Sequence, residues 1–240
     1  MPMRSAASVA AAEAAHPERA RFYADLVNGL HAMAQPLTIL RSAMEMLTLP
    51  NGGMIDQRRY LEMSSRQVAR TCGMFASLQD LVETQLIEAQ RVRFDLWDLL
   101  MPLIENQRRM LGDTRIEIIA ARPESRVAVW GDAGRTEQAL AAVLKLAGAV
   151  SISGDVIELR AVKADGYMEL TCENARRHGK PMDSSERLSL AVAEANILSQ
   201  NGRYDAVEDP FRVSLALPVE NLDRVIGEVR LSPMRSQPMN

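Results

Sequence analysis

Cysteine is nearly missing. Cys72 and Cys172 stand a hundred residues apart, a separation that suits neither a zinc site nor a redox pair, so the chain reads as one from a reducing, cytoplasmic setting. Lysine is scarcer than the charge balance suggests: Lys145, Lys163 and Lys180 are the only lysines among 28 basic residues. Any phosphate binding must therefore run on arginine or on backbone amides. With a net charge of −3, no basic field recommends nucleic acid as a partner. Long apolar runs are absent as well, and stretches such as Ala139 to Leu144 fall far short of the ~20 residues that cross a bilayer. The alanine-rich start, Ser5 to Ala15, is interrupted by Glu13 and is too weakly apolar for an export segment. The reading is of no membrane partner and no metal site.

What is present is a chain of 240 residues, 47% hydrophobic and 25% charged, enough for one large domain or two small ones. Its two halves carry different periods. Between Pro17 and Thr48 the large apolar residues fall at Phe22, Leu26, Leu30, Met33, Leu37, Leu40, Met44 and Leu47, by threes and fours, which predicts a helix with a heptad stripe. Pro17 suits a helix start, and Leu49-Pro50-Asn51-Gly52-Gly53 reads as a turn. A second stripe at Leu61, Val68, Phe75 and Val82, supported by Cys72, Leu78 and Leu86, predicts an antiparallel partner helix to about Gln90. A lone hairpin buries one side of each helix, so a second copy completing a four-helix bundle is expected, making the chain a homodimer through residues 17–91. The alternative is packing against the C-terminal half. The 14 methionines read as gap-fillers in these cores.

From Val92 strands and helices intermix. The pattern predicts helices over Leu99–Leu111, Asp132–Val150 and Ser184–Gln200, with Asp132 as a cap. Strands are expected at Thr114–Ala121, Arg126–Trp130, Arg203–Ala206 and Phe211–Leu217. A hairpin of Val156–Val162 with Tyr167–Cys172 turns at Ala164-Asp165-Gly166, with Val162 and Leu159 set against Met168 and Leu170. One sheet covered by helices on one face is the economical arrangement. The organisation expected is a flexible arm (1–16), a helical hairpin (17–91), an α/β two-layer sandwich (92–220) and a partly disordered tail (221–240), an α+β chain as a whole.

His31 is the residue with chemistry to offer. At ~100° per residue it lies about 150° from the centre of the apolar stripe, so its imidazole should face solvent. Gln35, Thr38 and Ser42 follow at plus four, plus seven and plus eleven on the same face. Pro36, inside a continuing helix, leaves the Ala32 carbonyl without its helical partner and should kink the turn beside His31. His16, in the arm, and His178, beside Arg176, Arg177 and Lys180, are weaker candidates.

The string His31-Ala32-Met33-Ala34-Gln35-Pro36-Leu37-Thr38 resembles the phosphoacceptor box of two-component sensor histidine kinases: His, acid, two variable residues, a polar residue, Pro, Leu, Thr. Here Ala32 replaces the acid. Gly131-Asp132-Ala133-Gly134-Arg135-Thr136-Glu137-Gln138-Ala139-Leu140 is similar to the start of the ATP-binding helix in that family's GHKL-type ATPase module. The resemblance implies the fold of the histidine kinase ATP-binding domain after the hairpin, His31 as phosphoacceptor, Gln35 as a residue that positions water or phosphoryl, Pro36 as the helix kink at the acceptor, Thr38 beside them, and receiver domains of response regulators as partners.

The family's nucleotide chemistry is not matched. Positions where it carries magnesium-holding asparagines fall on Ala142 and Leu146, and neither offers the oxygen a hard cation demands. Its adenine-reading motif falls on Glu173-Asn174-Ala175-Arg176-Arg177, where only the acid Glu173 survives. Its glycine turn falls on Arg187-Leu188-Ser189-Leu190, where side chains of Arg187 and Ser189 fill space that glycine would leave open. No cofactor is expected, ATP and magnesium binding being lost. The chain is similar in kind to degenerate kinases, or pseudokinases, that act as histidine phosphotransferases in a phosphorelay, and the absence of a sensor segment suits a mid-pathway step. Three alternatives stand: a non-catalytic scaffold or inhibitor that binds response regulators, a receiver phosphatase using Gln35, and an active histidine kinase with an unusual nucleotide site.

Overall fold

The computed structural model describes residues 6–48, 54–121, 128–174, 176 and 182–220, with side chains from Ala20 in the first helix and from Gln57 in the second. The expected turn at Leu49–Gly53, the tail from 221, Ala175, Arg177, His178 and Lys180 lie outside the described residues, as does the side chain of His16. The chain forms two compact units, Met1–Glu88 with Pro181–Asn196, and Ala89–Lys180 with Ile197–Asn240. Residues 181–196, which the sequence pattern puts in the second module, thus group with the hairpin.

In the first unit, α1 (Ala6–Leu47) and α2 (Met54–Leu86) pack along their length. Helix α1 starts at Ala6 and not at Pro17, because the alanine-rich run has the highest helical propensity of any composition. The helix is unbroken across Pro36, which is buried. The expected single stripe divides in two. The face of α1 turned into its own chain carries small residues, Gly29, Pro36 and Ala43, all buried, opposite Met74, Leu78 and Leu81 of α2. Leu30, Leu37 and Met44 lie some 100° round the helix and stay half exposed, as do Leu61, Val68 and Phe75 on α2. Both sets repeat every seven residues, so each helix keeps a heptad strip of large apolar side chains that the described residues leave half exposed. Cys72 and Leu86, expected to support the buried stripe, are exposed too.

The second unit runs β1 (Val92–Asp95), α3 (Leu96–Leu111), a short 3-10 turn, β2 (Glu117–Ala120), β3 (Ala128–Gly131), α4 (Ala133–Val150), β4 (Val156–Ala164), β5 (Tyr167–Asn174), the end of α5 (Ser184–Leu198), β6 (Arg203–Val207) and β7 (Arg212–Pro218). The one expected sheet is two: β1 pairs antiparallel with β3, and the larger sheet has the order β2-β4-β5-β7-β6 with only β2 and β4 parallel. Strand β1 is too short to show a period, and Asp95 ends it by capping α3, accepting from the Trp97 N–H at 2.9 Å. The hairpin register also differs from expectation. Leu159 faces Cys172 and Val162 faces Glu169, whereas Met168 and Leu170 face Lys163 and Ala161. The buried face of the sheet is built from Ile157, Leu159, Met168, Leu170, Cys172, Val213, Leu215 and Leu217. Helices α3 and α4 cover it, giving the two-layer α/β sandwich that the sequence pattern called for after the helical hairpin.

Candidate functional site

Turning Gly29, Pro36 and Ala43 inward forces His31, Gln35 and Thr38 outward, and all three are exposed. His31 Nδ1 lies 2.9 Å from the Val27 carbonyl one turn earlier. A carbonyl oxygen only accepts, so in the neutral ring Nδ1 carries the hydrogen and Nε2 keeps its lone pair. The helix backbone therefore sets both the tautomer and the ring orientation. The Thr38 hydroxyl donates to the Ala34 carbonyl at 2.8 Å, so it serves its own helix rather than a neighbour of His31. Pro36 is placed as a packing residue on the opposite face, not beside the imidazole.

Helix α5, up to Asn196, is fixed to the hairpin at several points, among them Asn196 itself, whose Oδ1 accepts from the Thr84 hydroxyl of α2 at 3.1 Å. Arg70 of α2 pairs with Asp183 at 3.1 Å, and Arg21 of α1 pairs with Glu194 at 2.9 Å. Between them Leu188 packs into Met74, Leu78, Leu26, Ala32 and Met33. Gly29 permits this approach, since a Cβ there would stand 2.6 Å from Leu78 Cδ2 and 3.2 Å from Leu188 Cδ1. The first turn of α5 is a closed capping box: Asp183 accepts from the N–H groups of Ser185 and Glu186, and Glu186 accepts from the Asp183 N–H. Burial pushes the Asp183 carboxyl up, but the Ser185 hydroxyl, these backbone donors and Arg70 outweigh it and hold the group below its usual range.

The result is a cleft of about 560 Å³ between α1 and α5, whose polar walls are Asp25, Asn28, His31, Gln35, Ser184 and Arg187. Sequence reasoning found His31 and Gln35 but placed Arg187 at the position of the family's glycine turn and missed Asp25, Asn28 and Ser184. Asn28 was within reach of a helical-face argument, lying three residues before His31. Burial pushes the Asp25 carboxyl up, with Arg21 opposing, and burial likewise raises Glu194, with Arg21 opposing and Asp25 adding to the rise. Ser189 does not reach this cleft chemistry: its hydroxyl bonds the Ser185 carbonyl at 3.0 Å.

The remaining expected positions lie in the second unit. Leu146 is buried in the core and Ala142 is half buried on α4. Glu173 is on the sheet face away from that core, 3.6 Å from Arg160. The inward residue at the end of β5 is instead Asn174, 1% exposed, whose amide donates at 2.9 Å to both Ser151 Oγ and Asp155 Oδ2. Arg176 reaches the buried Asp155 at 3.3 Å. The retained Gly131-Asp132 and Arg135 have structural partners. A Cβ on Gly131 would meet Gln200 Oε1 at 2.3 Å. That oxygen accepts from the Asp132 N–H at 2.7 Å. Asp132 caps α4 through the Arg135 N–H at 3.1 Å and accepts from the Gln90 N–H at 2.8 Å. Arg135 Nη1 donates to Ser199 Oγ at 2.7 Å. Among the described residues no cluster of three or more histidine, cysteine or acidic side chains is arranged to hold a metal, and no helix is long and apolar enough to cross a membrane.

No family model matches this sequence, and no curated protein does. Solved structures do. The histidine kinase AdeS of Acinetobacter baumannii aligns with 80% of this chain and 98% of its own at 18% identity and a TM-score of 0.62. A histidine kinase from Burkholderia phymatum aligns over the same shares at 16% identity and a TM-score of 0.48. The mycobacterial sensor histidine kinase MprB aligns with 53% of this chain and 97% of its own at 21% identity and a TM-score of 0.43. The likeness to AdeS establishes the fold: a helical hairpin followed by an α/β sandwich of the histidine kinase kind.

Proposed function

We propose that this chain, folded like a histidine kinase, is a two-component phosphotransfer protein that moves phosphoryl groups to or from receiver aspartates through His31, without phosphorylating itself from ATP. The observation that carries this reading is the imidazole itself, exposed, with Nδ1 tied to the Val27 carbonyl and Nε2 left as the nucleophile. The Nε2 lone pair attacks the phosphorus of an aspartyl phosphate in line with the departing carboxylate oxygen. The N–P bond forms, the P–O bond breaks, and the carboxylate leaves with the electron pair. The ring retains its Nδ1 hydrogen, and the positive charge it gains is met by the Val27 carbonyl dipole. Because Nε2 already holds a lone pair, no general base is needed, and Ala32 in place of an acid is no handicap for this donor.

The donor set does not fit a magnesium nucleotide. Ala142 offers a methyl group and Leu146 is packed in the core, whereas magnesium needs oxygen ligands. The heptad strips on α1 and α2 favour a second copy as the cover for the hairpin. Gln35, exposed on the His31 cleft, favours a second activity, in which its amide orients water onto a receiver's aspartyl phosphate.

The test is to present the purified protein separately with a phosphorylated receiver and with magnesium-ATP. Label is expected from the receiver only, on wild type but not on His31→Ala. Label from ATP overturns the reading in favour of a kinase, and label from neither favours a scaffold. Receiver dephosphorylation that survives His31→Ala but not Gln35→Ala identifies the phosphatase activity.

A further inference from the structure

Arg187 sits on α5, far in sequence from the acceptor box, yet it shares a cleft of about 560 Å³ with His31. Its placement does not depend on a loop. Helix α5 is pinned by Arg70 to Asp183 just before it and by Arg21 to Glu194 within it, with Leu188 seated in the hairpin core. Gly29, two residues before His31, provides the close approach. The Ser185 and Glu186 N–H groups are taken by the Asp183 carboxylate and the Arg187 N–H by the Asp183 carbonyl, so an anion would meet side chains rather than these amides. The cleft's wall on that side presents the Ser184 and Arg187 side chains. On the α1 side it presents Asn28, His31, Gln35 and the partly buried Asp25. Among these six only Arg187 bears a permanent positive charge, and guanidinium geometry suits phosphoryl oxygens.

We infer that Arg187 is the residue that holds the phosphoryl group once it is on His31, so that α5 has become one wall of the histidine site. The inference rests on the reading of His31 as acceptor. It assigns the arginine a binding role toward a dianionic phosphoryl group, with Ser184 available as a hydroxyl donor beside it.

The test avoids receivers altogether. The full chain is phosphorylated with phosphoramidate, whose P–N bond breaks with loss of ammonia as Nε2 bonds the phosphorus. The phosphoryl group is then titrated by ³¹P NMR. A guanidinium beside it favours the dianion, so the wild-type midpoint should lie at least about half a pH unit, a threefold change in proton affinity, below that of Arg187→Gln. Arg187→Lys should retain most of the shift, and raising salt to ~1 M should erode it in wild type. A change of fold alone would not produce this charge- and salt-dependent pattern. Should Arg187→Gln fail to fold, the lysine variant and the salt series decide the matter. Equal midpoints in wild type and Arg187→Gln overturn the proposal, as does a wild-type midpoint insensitive to salt, or failure of phosphoramidate to label His31. A relay that fails with receivers while this titration shifts removes the proposed function and leaves the phosphoryl site standing.

Discussion

The heptad strips make a sharp prediction at Leu37. Leu30, Leu37, Met44, Leu61, Val68 and Phe75 are each between 46% and 58% exposed. Full burial of such a side chain is worth ~1.5–3 kcal/mol, so covering the exposed half gives about 1 kcal/mol each. Six on each of two copies then contribute roughly 12 kcal/mol, set against an association cost of roughly 4–15 kcal/mol. At the low end of that cost about 8 kcal/mol remains, which corresponds to self-association at roughly micromolar affinity. Leu37→Glu removes two of these contributions and presses two carboxylates against apolar surface, a change of roughly 4–6 kcal/mol, or a thousandfold and more in affinity. The fold should survive, because Leu37 faces away from α2 of its own chain. Ser42→Glu, on the exposed His31 face, is the control and should leave association unchanged. Sedimentation equilibrium over ~1–100 µM, with circular dichroism alongside, reads both effects. A wild-type chain that stays monomeric at ~100 µM, or a Leu37→Glu dimer as tight as wild type, refutes the reasoning.

Three further outcomes are expected. Native protein should react with a thiol reagent at Cys72 alone, because burial and the neighbouring Glu173 push the Cys172 thiol up to about 12; two thiols of equal rate would contradict this, and both should react after unfolding. Gly202→Ala should cost about 3 kcal/mol in a denaturant melt, since its Cβ would stand 2.7 Å from the backbone oxygens of both Ile197 and Ala216, atoms that cannot swing aside; a loss under ~0.5 kcal/mol is inconsistent with that geometry. Asp183→Asn should lower stability at neutral pH. Because the folded carboxyl is held below its usual value, its contribution is complete above the unfolded value of about 3.9 and is lost as pH falls through the lower folded one. Thermal melts of the two proteins should converge toward pH 2, and a constant gap down to that pH would remove the carboxylate from the account.

The helix that carries His31 was legible because its pattern is local. A period of 3.6 residues places His31 opposite the apolar stripe whatever lies beyond, and the Nδ1 to Val27 bond spans a single turn. The capped α4 and the hairpin over Asp165 and Gly166, both at positive φ, were legible for the same reason. Counting apolar residues could not divide the stripe, because the face turned inward is made of Gly29, Pro36 and Ala43, which such a count passes over. Strand pairing has a similar blind spot: alternation does not fix which residues stand opposite each other, and Leu159 and Val162 in fact face Cys172 and Glu169.

The sequence alone thus determined most of the helices and strands, the exposure of the His31 imidazole, and that the side chains of Ala142 and Leu146 carry no oxygen. These follow from side-chain type and short-range period. Only the tertiary structure decided that α5 joins the hairpin, that Arg187 shares a cleft with His31 from 156 residues further along the chain, and that Gly131, Asp132 and Arg135 are spent on Gln200, Gln90 and Ser199. The physical reason is that periodicity reports the direction a side chain faces, whereas what it meets there is set by close packing between segments remote in sequence.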